Sequence, residues 1–340
     1  MSVKSNGRKI MAIVLAMILI VSTMTGCAPK ERTSVESIDK DTKLSVLFNS
    51  IEMGDFAEFL IYRSDSYARK LQKKTLNDLN RDDSSWNADA MEYGLNHILT
   101  LIHSGVKVDY DFWSEEDIKA DKTKENTKLF YFPAKEDAPF VLLCAGGGFT
   151  AVCSMVEAFP VAAELNKLGY NVFVLSYRTQ KASLKVDMDM GRATAMEDVA
   201  AAIKYIFSHA ADFAVSTGNY AMGGFSAGAM LTADWCSQEN GWGKYGLEKP
   251  ACAFLAYGGI SNTDKITDTY PATYMVYCED DPIVSAQTMS TMADTLKQTG
   301  VPYLQNVGKS GGHGFGLGLG TDVEGWVEEA VELWQQQIGG

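Results

Sequence analysis

The chain has 340 residues, 46% of them hydrophobic, and a formal net charge of −13 at pH 7. This length and composition suit one large or two modest globular domains with enough apolar residues for a buried core. An acidic chain repels phosphate backbones, and the sequence has no basic patch with interleaved aromatic residues, so nucleic acid is excluded as a partner.

The first 27 residues have the pattern of an export signal. Basic residues precede an apolar stretch at 10–21, which is short for a membrane span, and small residues follow it. The segment ends in Met-Thr-Gly-Cys27 and resembles a bacterial lipoprotein signal. The resemblance implies that Cys27 is lipidated and anchors an exported protein to the outer face of the bacterial cytoplasmic membrane or to the cell surface. An ordinary cleaved signal or an uncleaved anchor is the alternative.

Two further segments precede the main domain. Residues 28–41 are polar and lack periodicity, which predicts a tether. Within residues 42–104, apolar residues at helical spacing predict two helices, one from Leu44 to Leu60 and one from Trp86 to Ile102. We expect this helical segment to be a candidate cap, with packing elsewhere on the domain as the alternative.

Strand and helix patterns alternate through residues 105–340. Such alternation predicts an α/β domain whose mostly parallel sheet is covered by helices on both faces. Strands are predicted near residues 106–112, 129–132, 140–144, 172–175, 220–222, 251–257, 274–278 and 303–307.

A Gly-Phe-Ser-Ala-Gly motif at 224–228 lies between a predicted strand and a predicted helix. In this context a G-x-S-x-G sequence places the serine on a sharp, strained turn at the carboxyl edge of the sheet. The glycines are needed because the chain segments pass too closely for side chains. Ser226 is therefore a candidate nucleophile, and the motif depends on its context because glycine and serine are common in turns.

A serine nucleophile needs a base, and the chain has four histidines. His97 and His103 lie on a helix before the sheet begins, and His209 lies where the amino edge of the sheet is expected. His313 directly follows the last predicted strand, in a glycine-rich loop that can reach over the carboxyl edge. We therefore expect His313 to be the base.

The base needs an orienting carboxylate, and three acidic residues directly follow the strand predicted at 274–278. Asp281 is the first candidate, because its Asp-Pro-x-Val context resembles the acid loop of many hydrolases. Asp280 is the alternative, and one of the acids could instead serve the N-terminus of the next helix. The order Ser226, Asp281, His313 is the one found in the α/β-hydrolase arrangement.

Consecutive glycines at 146–148 follow the strand predicted at 140–144. Their backbone N–H groups can approach a ligand closely, so Gly147 or Gly148, together with Ala227, is predicted to form an oxyanion hole. No Lys-Ser/Thr pair follows, which excludes a phosphate-binding P-loop. The six cysteines include no C-x-x-C pair or metal-ligand spacing, so buried free thiols are expected. A serine nucleophile with its own base, acid and oxyanion hole implies no metal or organic cofactor.

Together, the glycine loop, the serine turn, the acid loop and the histidine loop resemble those of α/β-hydrolase-fold serine esterases. The resemblance extends over about residues 106–338 and includes the lipase/esterase group with HGGG and the carbohydrate-esterase-like group, although Ala145 replaces the usual histidine. It implies hydrolysis of small carboxylic esters, with acetyl esters of carbohydrates as one substrate class. A serine peptidase of the same fold and a non-catalytic substrate-binding lipoprotein are the alternatives.

Overall fold

In the computed structural model, one sheet runs through the protein, and the structure describes residues 32–83, 85–260 and 262–339. The predicted signal segment and Cys27 lie outside the described residues. Among those residues, no helix is both long and apolar enough to span a membrane. The strands are β1 Asp109–Tyr110, β2 Lys128–Phe132, β3 Pro139–Cys144, β4 Asn171–Ser176, β5 Ser216–Phe225, β6 Cys252–Ala256, β7 Ala272–Cys278 and β8 Tyr303–Gly308.

The sheet has the strand order β1-β2-β4-β3-β5-β6-β7-β8. Strand β2 is antiparallel to both of its neighbours, β1 and β4. The other six strands, β4, β3, β5, β6, β7 and β8 in sheet order, are parallel to one another. The six residues of β4 are all buried, as expected for a strand with both faces covered. The prediction of a mostly parallel sheet is confirmed.

Helices cover both faces of this sheet. The α-helices are α1 Leu44–Phe48, α2 Tyr67–Lys70, α3 Leu76–Asp82, α4 Ala88–His103, α5 Glu115–Ala120, α6 Ala158–Lys167, α7 Met188–Ser208, α8 Ala210–Phe213, α9 Ala227–Cys236, α10 Trp242–Tyr245, α11 Ala286–Thr299 and α12 Trp326–Ile338. Short 3-10 helices span Ala57–Phe59, Lys122–Asn126 and Thr263–Lys265.

The two faces follow from the alternation of side chains along the strands. On one face, helices α6 and α12 contact each other, and Phe254 of β6 packs against Trp334 of α12. On the other face, helix α9 contacts α7, and Leu255 of β6 joins a core cluster with Met289 and Met292 of α11. Adjacent residues of β6 therefore enter opposite cores.

The segment 42–104 differs from its prediction in one half. A single long helix was expected from Leu44 to Leu60, but only α1 forms there, followed by turns and a short 3-10 helix. The apolar residues of this segment are buried in the core from an irregular backbone. The second helix forms as α4, which packs on α6. A Cβ on Gly94 would lie 2.6 Å from the backbone nitrogen of Pro160, so glycine permits this close approach. The division of the chain into domains stays a prediction.

Candidate active site

Ser226 lies at the sharp turn between β5 and α9. Its backbone adopts φ 51° and ψ −118°, a strained conformation that costs about 1–3 kcal/mol. The two glycines of the motif make the turn possible. A Cβ on Gly224 would lie 2.1 Å from the carbonyl oxygen of Gly228, and a Cβ on Gly228 would lie 1.9 Å from that of Cys144. The backbone at the start of α9 therefore packs closely against the backbone at the end of β3.

His313 connects Ser226 to Asp281. Its Nε2 atom is 2.7 Å from Ser226 Oγ, and its Nδ1 atom is 2.8 Å from Asp281 Oδ2. The side chain of Asp281 is fully buried, whereas that of His313 is 16% exposed. The structure thus brings the three residues together in the predicted order. In this network a neutral His313 carries its proton on Nδ1 and accepts from the serine hydroxyl at Nε2.

The neighbouring acid, Asp280, contacts the same loop at different atoms. Its carboxylate accepts hydrogen bonds from the backbone N–H groups of Gly311, at 3.3 Å, and Gly312, at 2.9 Å. The second oxygen of Asp281 accepts from the N–H groups of Ile283 and Val284. Asp280 therefore supports the histidine loop, and Asp281 is the acid that contacts the imidazole.

The remaining histidines lie elsewhere. His97 contacts Asn166 on the outer side of α6, His103 lies 3.7 Å from Glu52, and His209 contacts the carbonyl of Tyr205. None of the three has a hydrogen bond to Ser226 in the described part of the chain.

The glycine loop follows β3 and contacts the serine turn. A Cβ on Gly146 would lie 2.8 Å from Ser226 Cβ. The loop carbonyls are occupied: the Tyr177 hydroxyl donates to Ala145, and backbone N–H groups donate to Gly146, Gly147 and Phe149. Within the described residues, no acceptor is found for the N–H groups of Gly147, Gly148 and Ala227. These donors are thus free to bind a ligand oxygen.

Glu157 is a buried acidic residue beside the site that the sequence analysis missed. It is 4% exposed and accepts a hydrogen bond from the Gly146 N–H at 2.5 Å. Its other oxygen accepts from the Tyr257 hydroxyl at 3.0 Å, and this hydroxyl in turn accepts from the Gly316 N–H at 3.3 Å. Burial raises the pKa of Glu157 to about 7. A single acidic residue in the otherwise uncharged stretch 151–163 was the available signal.

The Tyr257 ring also supports the base. Its centroid lies 5.0 Å from that of the His313 imidazole, in an edge-to-face arrangement. Tyr257 itself has φ 41°, an uncommon conformation for a large side chain. The glycine loop and the histidine loop are thus joined through Glu157 and Tyr257 behind the nucleophile.

The cysteines and acidic residues provide no metal centre in the described part of the chain. No group of three or more His, Cys, Asp or Glu side chains is placed to hold an ion among residues 32–83, 85–260 and 262–339. Cys144, Cys153, Cys236, Cys252 and Cys278 are buried free thiols, as expected from the sequence.

Comparisons with known proteins agree with the fold of the chain. A family model described as BD-FAE matches residues 130–296. An acetyl ester-xyloside bifunctional hydrolase from Caldicellulosiruptor lactoaceticus superposes with a TM-score of 0.55 and 21% identity, covering 68% of this chain and 96% of that one. The chain has an α/β-hydrolase fold. The prediction of this fold class is confirmed.

Other hydrolase-fold structures are similar to the chain. The carboxylesterase Cest-2923 from Lactobacillus plantarum WCFS1 has a TM-score of 0.52 and 20% identity, covering 63% of this chain and 92% of that one. A propionate-bound esterase, Est2, from Thermogutta terrifontis has a TM-score of 0.54 and 17% identity, covering 69% and 95%. Both of these proteins are called esterases.

A curated relative matches over a shorter part of its length. Endo-1,4-beta-xylanase B from Butyrivibrio fibrisolvens is 23% identical over 219 residues, which cover 55% of this chain and 34% of that protein. The chain therefore spans about a third of the length of the curated relative that it matches.

Proposed function

We propose that this hydrolase-fold protein is a serine esterase that cleaves small carboxylic esters, including acetyl esters of carbohydrates. The observation that carries the proposal is the continuous hydrogen-bonded chain from Asp281 through His313 to Ser226. A buried carboxylate, an imidazole and a half-buried serine in this order form the arrangement that activates a hydroxyl for acyl transfer.

Acylation begins at Ser226 Oγ. His313 Nε2 accepts the hydroxyl proton as Oγ attacks the ester carbonyl, and it then donates that proton to the leaving alcohol. Asp281 accepts from Nδ1–H throughout, which holds the imidazole in orientation and stabilises its charged form. Water activated by His313 then hydrolyses the acyl-enzyme and restores the serine hydroxyl.

The tetrahedral intermediate carries a negative oxygen that needs donors. The N–H groups of Gly147, Gly148 and Ala227 are the proposed oxyanion hole, supported by their position beside the serine turn and by their lack of other acceptors in the described chain. Glu157 supports this loop from behind by accepting the Gly146 N–H, which turns the next donors toward the substrate side.

The substrate class rests on resemblance. The similar proteins include one described as an acetyl ester-xyloside hydrolase and one described as a xylanase, so an ester on a plant-type polysaccharide is the proposed natural substrate. No metal or organic cofactor is required by the proposed steps.

The direct test is hydrolysis of a chromogenic acetate ester by the purified protein and by Ser226→Ala. We expect the variant to lose about 10⁴-fold or more in rate. Equal rates near background for both proteins would contradict the proposal. An anilide of the same acyl group, assayed in parallel, separates an esterase from a peptidase, since a peptidase would cleave the amide at a Ser226-dependent rate above background.

The lipid anchor is a separate proposal that rests on the sequence around Cys27. Its test is fractionation of cells that express the full chain or Cys27→Ser. We expect the wild-type protein in the detergent-soluble membrane fraction, with a mass increase for lipid, and the variant without that mass. An identical distribution and mass for both proteins would contradict the anchor.

A further inference from the structure

A cavity of about 470 Å³ lies beside the glycine loop. It is within the size range of pockets that bind small organic ligands. Polar side chains and one aromatic ring dominate its walls, and they come from four separate parts of the chain. The residues on which the inference depends are Tyr62, Ser64, Asn126, Thr179, Gln180 and Thr194.

The cavity opens at the same edge of the sheet as Ser226. Gln180 lies just beyond the carboxyl end of β4, and Thr194 is in the first half of α7. Asn126 precedes β2, whose first residue pairs with the last residue of the antiparallel β4. All three elements therefore place their cavity residues at the carboxyl edge.

The lateral distance to the nucleophile follows from the strand order. Strand β3 separates β4 from β5, the strand that leads to Ser226. Two strand spacings amount to about 10 Å. The glycine loop lies between the cavity and the serine, and Gln180 donates its N–H to the carbonyl of Phe149 in that loop at 2.8 Å.

A substrate can cross the loop at Gly148. This glycine is exposed, and a Cβ built on it would meet no atom within 4 Å. An ester group at Ser226 and a larger alcohol part in the cavity can therefore belong to one molecule that passes over Gly148.

The charge of the cavity favours a neutral ligand. Arg178 lines it, but the guanidinium is already paired with Asp121, Glu197 and Asp198 at 2.8–2.9 Å. Lys181 is confined to the exposed rim. The remaining polar groups are hydroxyls and amides, which suit the hydroxyl groups of a sugar better than a phosphate or carboxylate.

Three cavity side chains have unused hydrogen-bonding capacity. Among the described residues, no side-chain hydrogen bond is found for the exposed Ser64 or the half-buried Asn126, and the Thr179 hydroxyl is buried without any partner. The Tyr62 ring is part of the cavity wall and is itself stacked on Phe59, with the ring centroids 5.2 Å apart. Buried polar atoms are normally satisfied, so the Thr179 hydroxyl indicates a ligand that completes it, and Ser64 and Asn126 are accessible to the same ligand.

We propose that this cavity binds the glycan part of the substrate, a neutral sugar residue adjoining the one that carries the ester. The inference rests on the proposed esterase function and adds where its alcohol part binds. The ester carbonyl lies at Ser226, the chain of sugars crosses Gly148, and the neighbouring sugar is held by Ser64, Asn126 and the Thr179 hydroxyl, with Tyr62 in the cavity wall.

The test compares two substrates on one set of variants. The full chain, the double variant Ser64→Ala/Asn126→Ala and the control Lys122→Ala are assayed on p-nitrophenyl acetate and on an acetylated xylo-oligosaccharide. Lys122 is on the same 3-10 helix as Asn126 but lines a different surface. The loss of two hydrogen bonds should lower kcat/KM for the oligosaccharide about 5- to 150-fold.

The expected result is a loss restricted to the oligosaccharide in the double variant, with p-nitrophenyl acetate turnover within about twofold of wild type and no change in Lys122→Ala. Unchanged oligosaccharide turnover, or equal losses on both substrates, would overturn the glycan site while Ser226-dependent turnover of p-nitrophenyl acetate keeps the esterase proposal intact. If neither substrate is cleaved, calorimetric binding of unacetylated xylotriose tests the cavity independently of catalysis. We expect the wild-type protein to bind xylotriose and the double variant not to bind it. Absence of that binding in the wild-type protein would then overturn the inference.

Discussion

Glu157 Oε1 lies 3.0 Å from the hydroxyl of Tyr257, although the two residues are 100 positions apart in the chain. One residue precedes helix α6 and contacts the glycine loop; the other follows β6 and contacts the histidine loop. A buried carboxyl group without a cationic partner is costly to ionise. Desolvation therefore raises the pKa of Glu157 to about 7. The Glu157–Tyr257 pair therefore connects the glycine loop to the histidine loop, and the protonation of Glu157 affects the stability of the folded chain.

The first prediction concerns the pH dependence of stability. The folded chain holds the Glu157 proton more tightly than the unfolded chain, because burial raises its pKa from 4.5 to about 7. The contribution of this carboxyl to stability is thus fully present below pH 4.5, falls as pH rises toward 7 and is constant above that. Relative to Glu157→Gln, the wild-type protein should lose up to about 3 kcal/mol of unfolding free energy across this range.

Denaturant unfolding of both proteins at several pH values between 4.5 and 8 provides the measurement. Subtracting the unfolding free energy of the variant from that of the wild-type protein cancels the contributions that other titratable groups make to both. These groups include the nearby His313, Tyr177, Tyr257, Cys153 and Asp83. A difference that stays constant with pH would show that Glu157 ionises normally.

The second prediction concerns Tyr257 as a positioning residue. In Tyr257→Phe the Gly316 N–H and Glu157 each lose a hydrogen-bond partner, while the ring beside His313 is kept. A hydrogen bond of about 1 kcal/mol corresponds to about a fivefold change, so we expect kcat on an acetate ester to fall about 3- to 10-fold with KM nearly unchanged. The pKa of Glu157 should also rise, because the hydrogen bond from Tyr257 lowers it, and the pH profile of kcat should change accordingly. An increase in KM alone, with kcat and the pH profile preserved, would contradict a positioning role.

The third prediction separates Asp281 from Asp280. Asn at 281 can still accept from the Ile283 and Val284 N–H groups, but its amide donates to His313 Nδ1 and forces the proton onto Nε2. The imidazole then cannot accept the serine proton, so Asp281→Asn should lower kcat about 10³- to 10⁴-fold with little loss of stability.

Asp280→Asn is the matched variant. It weakens only the contacts to the Gly311 and Gly312 N–H groups and should lower kcat by less than about 10-fold. Steady-state kinetics of the two variants on one ester decides between the acids. Comparable losses in both, or a larger loss at 280, would reverse the assignment.

The fourth prediction concerns the close packing of the serine turn. In Gly224→Ala the new methyl group meets the carbonyl of Gly228 at 2.1 Å and the Thr232 hydroxyl at 2.5 Å. Backbone atoms cannot yield as a flexible side chain can, so we expect a loss of about 3 kcal/mol or more in unfolding free energy.

Gly218 offers a control on the same strand. A Cβ there would have only the Ser216 hydroxyl within range, at 4.0 Å, and Gly218→Ala should be neutral or stabilising by up to about 1 kcal/mol. Chemical unfolding curves of the two variants make the comparison. A Gly224→Ala protein as stable as wild type would mean that the turn is more open than in the structure.

The sequence predicted the parts of the site that depend on local order. Ser226, Asp281 and His313 each lie within about five residues of the end of a strand, and residues at the carboxyl ends of parallel strands meet at one edge of a sheet. Glu157 and Tyr257 could not be found in this way, because their contact joins segments 100 positions apart and each lies in a stretch that reads as ordinary core. The irregular 44–60 segment was misassigned for a related reason: tertiary burial, not helical periodicity, fixes its apolar residues.

The proton-transfer chain also has a consequence for folding. Ser226 and His313 are 87 positions apart, and the histidine loop is held from the far side by Trp326 of α12, whose indole N–H donates to the Gly316 carbonyl at 3.0 Å. Contacts of such long range form late, after the entropy of closing large loops has been overcome. Until α12 docks, Ser226 is an ordinary alcohol without a base. Covalent capture of this serine by an active-site-directed phosphonate therefore reports the completion of folding, and its recovery during refolding should coincide with the slowest phase of tryptophan fluorescence.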